Sequence, residues 1–112
     1  MPVATMLAIA ASFWAQHGYT VPPVSWQWGI PASVAADPGY TVEAFQSARV
    51  IYIDRKWWDG AERWRKCEVL IHEDGHTLGF GHADRSVMSA YDDVYGGHRT
   101  VPGICKQWKG KP

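Results

Sequence analysis

Apolar positions near the start of the chain recur at the spacing of a helix. Leu7, Ala10 and Trp14 lie three or four residues apart. Pro2 suits the beginning of a helix and Gly18 suits its end. The same stretch could be a signal peptide, but no Lys or Arg precedes its apolar run. We therefore predict a first helix, kept in the mature protein, between Pro2 and Gly18.

A second helical stripe lies in the middle of the chain. It begins near Ala61 and continues toward Leu78, where Gly79 interrupts the pattern. The apolar residues on its predicted buried face include Trp64, Cys67, Leu70 and Ile71. The Gly and Pro residues that follow leave room only for a short last helix from Ile104 to Trp108.

Three other segments have the pattern of β-strands. Residues 21–30 alternate around prolines and predict one extended, peripheral strand. Residues 49–54 read R-V-I-Y-I-D, which predicts a central strand. A short strand is predicted at residues 40–45. Together with the helices, these strands predict an α+β fold in which a small mixed sheet packs on two helices.

Length and charge narrow the class of protein. A chain of 112 residues with 46% hydrophobic positions fits one domain, residues 1–112, and we expect a monomer. Eleven basic and eleven acidic residues cancel, so no net charge favours binding to nucleic acid or to an anionic membrane. The longest apolar stretch is too short to span a bilayer. Cys67 and Cys105 match no zinc motif and are either one disulfide or two free thiols.

The segment from residue 72 to residue 82 matches H-E-x-x-H-x-x-G-x-x-H at every fixed position. His72 and His76 are four residues apart on a helix, so both imidazoles can reach one ion. Glu73 then lies beside the ion and can act on a bound water. Gly79 allows the chain to turn, which lets His82 supply a third nitrogen ligand.

Three histidines with one open position are typical of catalytic zinc sites rather than structural ones. His17 and His98 have no such partners and are predicted to be ordinary surface histidines.

The stretch from Arg49 to Tyr91 resembles the matrixin-type metzincins, zinc proteases, of bacteria or bacteriophages. The resemblance rests on the strand, an aromatic bend at Trp57-Trp58 between the strand and the long helix, the histidine motif and Ser86-Val87-Met88. It implies a zincin-like fold in which Met88 forms a methionine turn beneath the zinc. Some metzincins carry a tyrosine two residues after this methionine that stabilises the transition state. Tyr91 is three residues after it, which favours a place in the wall of the substrate pocket; stabilisation of the transition state by Tyr91 is the alternative.

The motif and the resemblance together imply a zinc-dependent endopeptidase acting on a peptide or protein substrate. Zn²⁺ would activate a water and polarise the scissile carbonyl, and Glu73 would be the general base. The resemblance also implies an extended substrate along an edge strand and favours an extracellular or virion-associated protein. The alternatives are a non-catalytic module with a metzincin-like fold that zinc stabilises, and a zinc hydrolase of non-peptide bonds.

Overall fold

The computed structural model describes residues 2–34, 42–83, 86–89 and 100–112 of the chain. These residues form a small α+β structure with four helices and a mixed three-stranded sheet. The helices are α1 (Val3–Gln16), α2 (Arg55–Gly60), α3 (Arg63–Thr77) and α4 (Gly103–Lys106), and the strands are β1 (Ser25–Trp28), β2 (Ala44–Ser47) and β3 (Val50–Ile53).

The sheet is arranged around β3. Its neighbours are β1, which runs parallel to it, and β2, which runs antiparallel. Ile51 and Ile53 of β3 are fully buried and pair in register with Trp26 and Trp28 of β1. Because alternate residues of a strand share a face, these four side chains lie on the core side of the sheet.

The strand predictions are confirmed for β1 at the edge and β3 at the centre of the sheet. The short strand predicted at residues 40–45 is displaced, because β2 begins at Ala44 and continues to Ser47. Residues 40 and 41 of that prediction lie outside the described residues. A two-residue turn at Ala48 and Arg49 connects β2 to β3, and both residues have positive φ angles, 49° and 62°.

Helix α1 packs on α3 through a stripe that repeats every three or four residues. Its buried members are Val3, Met6, Ala10 and Trp14. The Trp14 indole also donates a hydrogen bond from Nε1 to the carbonyl oxygen of Ile71 on α3, at 2.9 Å. The predicted first helix is therefore confirmed, and its last buried residue is anchored to α3 next to His72.

Helix α3 is the central element of the structure. It packs against α1, β2 and α4, and every residue from Lys66 to Gly75 is buried. The predicted helix is confirmed, although it begins at Arg63 rather than near Ala61. Within the described residues, no helix combines the length and the apolar character needed to cross a membrane.

Helix α2 is an element that the sequence pattern did not predict. The segment around Trp57 and Trp58 was expected to be an aromatic bend between the strand and the long helix. It is instead a helix of six residues, and the Asp54 carboxylate accepts a hydrogen bond from the Trp57 amide at 2.8 Å. This bond satisfies one of the amides that a helix leaves unpaired in its first turn, and Trp58 is buried in the core. The expectation of a sheet on two helices is therefore incomplete.

A disulfide bond joins the two cysteines, which resolves the alternative left open by the sequence. Cys67 on α3 and Cys105 on α4 are 1% and 0% exposed, and their Cα atoms are 5.5 Å apart. The last helix spans Gly103–Lys106 rather than residues 104–108. Four residues are too few for an independently stable helix, so α4 depends on this bond and on its packing against α3.

Gly75 lets α3 approach its neighbours closely. A Cβ atom built on Gly75 would lie 2.9 Å from the Trp14 ring and 2.9 Å from Cε of Met88, well inside van der Waals contact. We expect Gly75→Ala to lower the free energy of unfolding by about 1–3 kcal/mol through overpacking. Gly60→Ala is the matched control, because no atom lies within 4 Å of a Cβ atom at that position. Urea unfolding of both variants measures the effect, and equal stabilities would contradict this packing.

Candidate metal centre

The end of α3 and the loop after it bring together the three histidines of the motif. His72 and His76 lie one turn apart on α3. Gly79 follows with a φ angle of +95°, a backbone conformation that L side chains rarely adopt. The Phe80 amide donates to the Gly75 carbonyl oxygen at 3.0 Å, which closes the last turn of the helix. The chain therefore reverses, and His82 faces the helix, as the sequence predicted.

The Nε2 atoms of the three histidines converge on one point. The Nε2 atom of His76 lies 3.1 Å from that of His72 and 3.2 Å from that of His82. For two nitrogens bound to one tetrahedral zinc ion, the Zn–N bond length gives a separation of about 3.3 Å. The spacing of the three nitrogens therefore suits a common metal ion.

The protonation of two rings also suits a metal ion. Nδ1 of His72 is 2.9 Å from the carbonyl oxygen of Val87, and Nδ1 of His76 is 2.8 Å from that of Phe80. A carbonyl oxygen can only accept, so Nδ1 carries a proton in both rings, and in the neutral imidazole Nε2 then presents a lone pair. Two lone pairs at this distance repel, and a cation between them converts that repulsion into coordination. The triad of His72, His76 and His82 could thus hold a metal ion.

The two carbonyl groups that orient the histidines are themselves held in place. The Phe80 ring stacks on the Trp14 ring, with centroids 5.3 Å apart and planes 19° apart. Val87 lies in the turn of residues 86–89, where the Ser89 amide donates to the Ser86 carbonyl oxygen at 3.1 Å. Such outer contacts fix the tautomer and the direction of a ligand before any metal binds.

Met88 lies in the same turn and is buried against α3. Its Sδ and Cε atoms occupy the space beside Gly75, the residue before His76. This is an apolar support under the helix that carries two of the histidines. Tyr91, predicted to line the substrate pocket, lies outside the described residues.

Glu73 is positioned beside the triad without occupying a ligand position. Its Oε1 atom is 3.9 Å from Nε2 of His72, which is beyond hydrogen-bond distance, and its side chain is 6% exposed. A carboxylate at this place can accept a proton from a water molecule that shares the site with the histidines.

Asp74, between the two helical histidines, is a feature that the sequence reasoning missed. The residue is 1% exposed, and its Oδ1 atom has no hydrogen-bond partner among the residues that the structure describes. Burial raises the pKa of the Asp74 carboxyl from 3.8 to about 7. The sequence contained a signal for this: Asp74 is a charged residue on the helix face that was predicted to be buried.

Asp74 is expected to make stability depend on pH. The pKa of Asp74 is higher in the folded state than in the unfolded state, so burying the ionised carboxylate lowers the free energy of unfolding. This loss is absent below pH 4, grows between about pH 4 and pH 7, and is complete above pH 7. Asp74→Asn should therefore be more stable than the wild type at pH 8, by about 1–3 kcal/mol. The gain should shrink toward pH 4.

Chemical unfolding of the metal-free protein between pH 4 and pH 8 measures this effect. Asp59→Asn is the control, because the Asp59 side chain is 63% exposed and pairs with Arg55 on the helix surface. A pH-independent difference between Asp74→Asn and the wild type would contradict the role of burial.

Comparisons of the chain with protein-family models, with curated proteins and with solved structures give no match in any of the three. Function is therefore inferred from the residues and their geometry.

Proposed function

We propose that the protein is a zinc-dependent endopeptidase of metzincin type. The observation that carries the proposal is the convergence of three histidine Nε2 atoms with one buried carboxylate, Glu73, directly beside them. The donor set favours zinc, since neutral imidazoles in a tetrahedral arrangement are its common ligands. Three protein ligands leave a fourth position for water or substrate, as in catalytic zinc sites.

His72, His76 and His82 would hold the zinc ion through Nε2. The ion would supply Lewis acidity, which lowers the pKa of a bound water to about 7 and polarises the scissile carbonyl. The chain's own part in the reaction then falls to Glu73. Its carboxylate takes the proton of the attacking water and passes it to the nitrogen of the leaving amine. The support for this role is the position of Glu73, whose buried carboxylate lies 3.9 Å from Nε2 of His72.

We further propose that the peptide substrate binds in an extended conformation along β2. This strand is at one edge of the sheet, and it is the edge strand that packs against α3. A peptide that adds to a sheet edge is held by backbone hydrogen bonds and runs alongside the edge strand. Along β2, such a peptide would lie next to the helix that carries the histidines.

The proposal is tested by incubating the zinc-loaded protein with a denatured protein and with a peptide library at neutral pH. Mass spectrometry should find internal cleavage that a zinc chelator abolishes and added zinc restores. Zinc binding without cleavage of any peptide would favour the alternative, a non-catalytic module that zinc stabilises. Cleavage that persists in chelator would contradict a metal-dependent mechanism.

A further inference from the structure

Ser86 forms hydrogen bonds through both its hydroxyl and its carbonyl oxygen in the turn of residues 86–89. Its hydroxyl donates to the carbonyl oxygen of Ala83 at 2.7 Å and accepts the amide N–H of Met88 at 3.0 Å. Its carbonyl oxygen accepts the amide N–H groups of Ser89 at 3.1 Å and of Thr100 at 3.0 Å. One half-buried serine therefore connects the chain before the turn, the turn itself and the C-terminal segment.

These bonds reach the backbone next to two of the three histidines. Ala83 directly follows His82, and its amide donates to the Met88 carbonyl oxygen at 3.0 Å, so the two segments are paired in both directions. Val87 lies between Ser86 and Met88, and its carbonyl oxygen accepts the Nδ1 proton of His72. A shift of the turn would therefore move the acceptor of His72 and the backbone of His82 together.

The two histidines come from different parts of the chain, which is why such a connection is needed. His72 is fixed by a long helix, whereas His82 is exposed and lies in the loop after Gly79. A metal site needs its ligands held within about 0.5 Å of the productive geometry. The hydroxyl of Ser86 is a side-chain group that bonds both to the segment of His82 and to the turn that orients His72.

We propose that Ser86 is a positioning residue of the metal centre. Its hydroxyl fixes the distance between the His82 segment and the Val87 carbonyl, and thereby sets the geometry in which Nε2 of His72 and Nε2 of His82 bind one metal ion. The inference rests on the proposed function only in requiring that the triad binds a metal.

Two isosteric variants isolate the hydroxyl. Ser86→Thr keeps the hydroxyl. Ser86→Val has the shape of the threonine variant, with a methyl group in place of the hydroxyl. Ser86→Ala removes it without adding volume, and Ser12→Ala on the exposed face of α1 is the control for a hydroxyl with no role. Each metal-free variant is first shown by circular dichroism to be folded. Zinc affinity is then measured by competition with a chromophoric chelator at pH 7, and Co²⁺ absorption reports the ligand geometry.

We expect Ser86→Val and Ser86→Ala to bind zinc about 10-fold more weakly, the lower end of the effect of removing a group bonded directly to a ligand, because Ser86 acts on the histidines through the backbone of Ala83 and Met88. Ser86→Thr and Ser12→Ala should remain within about threefold of the wild type. The Co²⁺ spectrum should change in Ser86→Val and not in Ser86→Thr. A Ser86→Val variant that is folded and binds zinc as tightly as the wild type would overturn the inference and leave the proposed function untouched.

A second measurement needs no variant. If the hydroxyl and the metal favour the same geometry, metal binding must strengthen the bond from the Met88 amide to the Ser86 hydroxyl. Hydrogen exchange at the Met88 amide should slow when zinc is added to the wild type, and by a larger factor than at the Ser25 amide, which bonds to the Arg49 carbonyl oxygen in the sheet and reports global stabilisation alone. Unchanged exchange with zinc bound would overturn the inference. If the wild type binds no zinc, the proposed function fails and the inference fails with it.

Discussion

Glu73→Ala should retain one zinc ion and lose about 10²- to 10⁴-fold in kcat/KM for peptide hydrolysis, the range that a positioned general base contributes. The reason is the separation of roles in the site. The three imidazoles supply the ligand atoms, whereas the Glu73 carboxylate lies 3.9 Å from Nε2 of His72 and is not needed to hold the ion. Elemental analysis and steady-state kinetics on the same preparation measure both quantities.

Two further variants make this result specific. Glu73→Gln keeps the size of the side chain and removes the base, so it should lose activity to a similar extent and also retain zinc. Asp59→Ala removes an exposed carboxylate from α2 and should change neither quantity. If Glu73→Ala loses zinc as completely as a histidine variant does, then the carboxylate is a ligand and the assignment of roles is wrong.

Removing the disulfide should have the largest effect on stability. The double variant Cys67→Ala/Cys105→Ala should unfold with a free energy lower by about 4 kcal/mol, the loop-entropy value for a bridge between residues 38 apart. The bond holds α4 to α3 five residues before His72, and both sulfurs are buried in the core. Urea unfolding of the oxidised wild type and of the variant, both saturated with zinc, measures the difference.

The reduced wild type is the control for this variant, because it has the same sequence and lacks only the bond. Its free energy of unfolding should equal that of the double variant, apart from the contribution of the two buried thiol groups that the double variant lacks. Thiol titration of the oxidised, denatured wild type should find no free thiol. A loss of stability below about 1 kcal/mol in the double variant would show that α4 is held by packing alone.

Helical and strand periodicity predicted those elements that bury one face. Helix α1, β1, β3 and α3 follow this rule, and their positions agree with the sequence to within a few residues. Helix α2 has only six residues, too few to display a period, and the signal for it was Asp54 as an N-cap. The turn between β2 and β3 uses Ala48 and Arg49 at positive φ angles where Asn and Gly are usual, so the sequence contained no hairpin signal.

The part of the candidate site that consists of histidine side chains was predictable from the sequence. Residues four apart on a helix face the same way, so the positions of His72 and His76 followed directly from their spacing. The carbonyl groups of Val87 and Phe80 were not predictable, because every residue has a carbonyl and only the fold selects two of them. The pairing of Cys67 with Cys105 likewise depends on where α4 lies, which no local pattern determines.

The stoichiometry of zinc binding tests the central claim most directly. Elemental analysis of protein dialysed against zinc at pH 7 should find one ion per chain, and His76→Ala should have none. His17→Ala should keep the ion, because His17 is exposed and its ring nitrogen Nδ1 bonds to the Phe13 carbonyl oxygen of its own helix end. Wild-type protein that remains free of metal in excess zinc, or His76→Ala that binds zinc as the wild type does, would contradict the account.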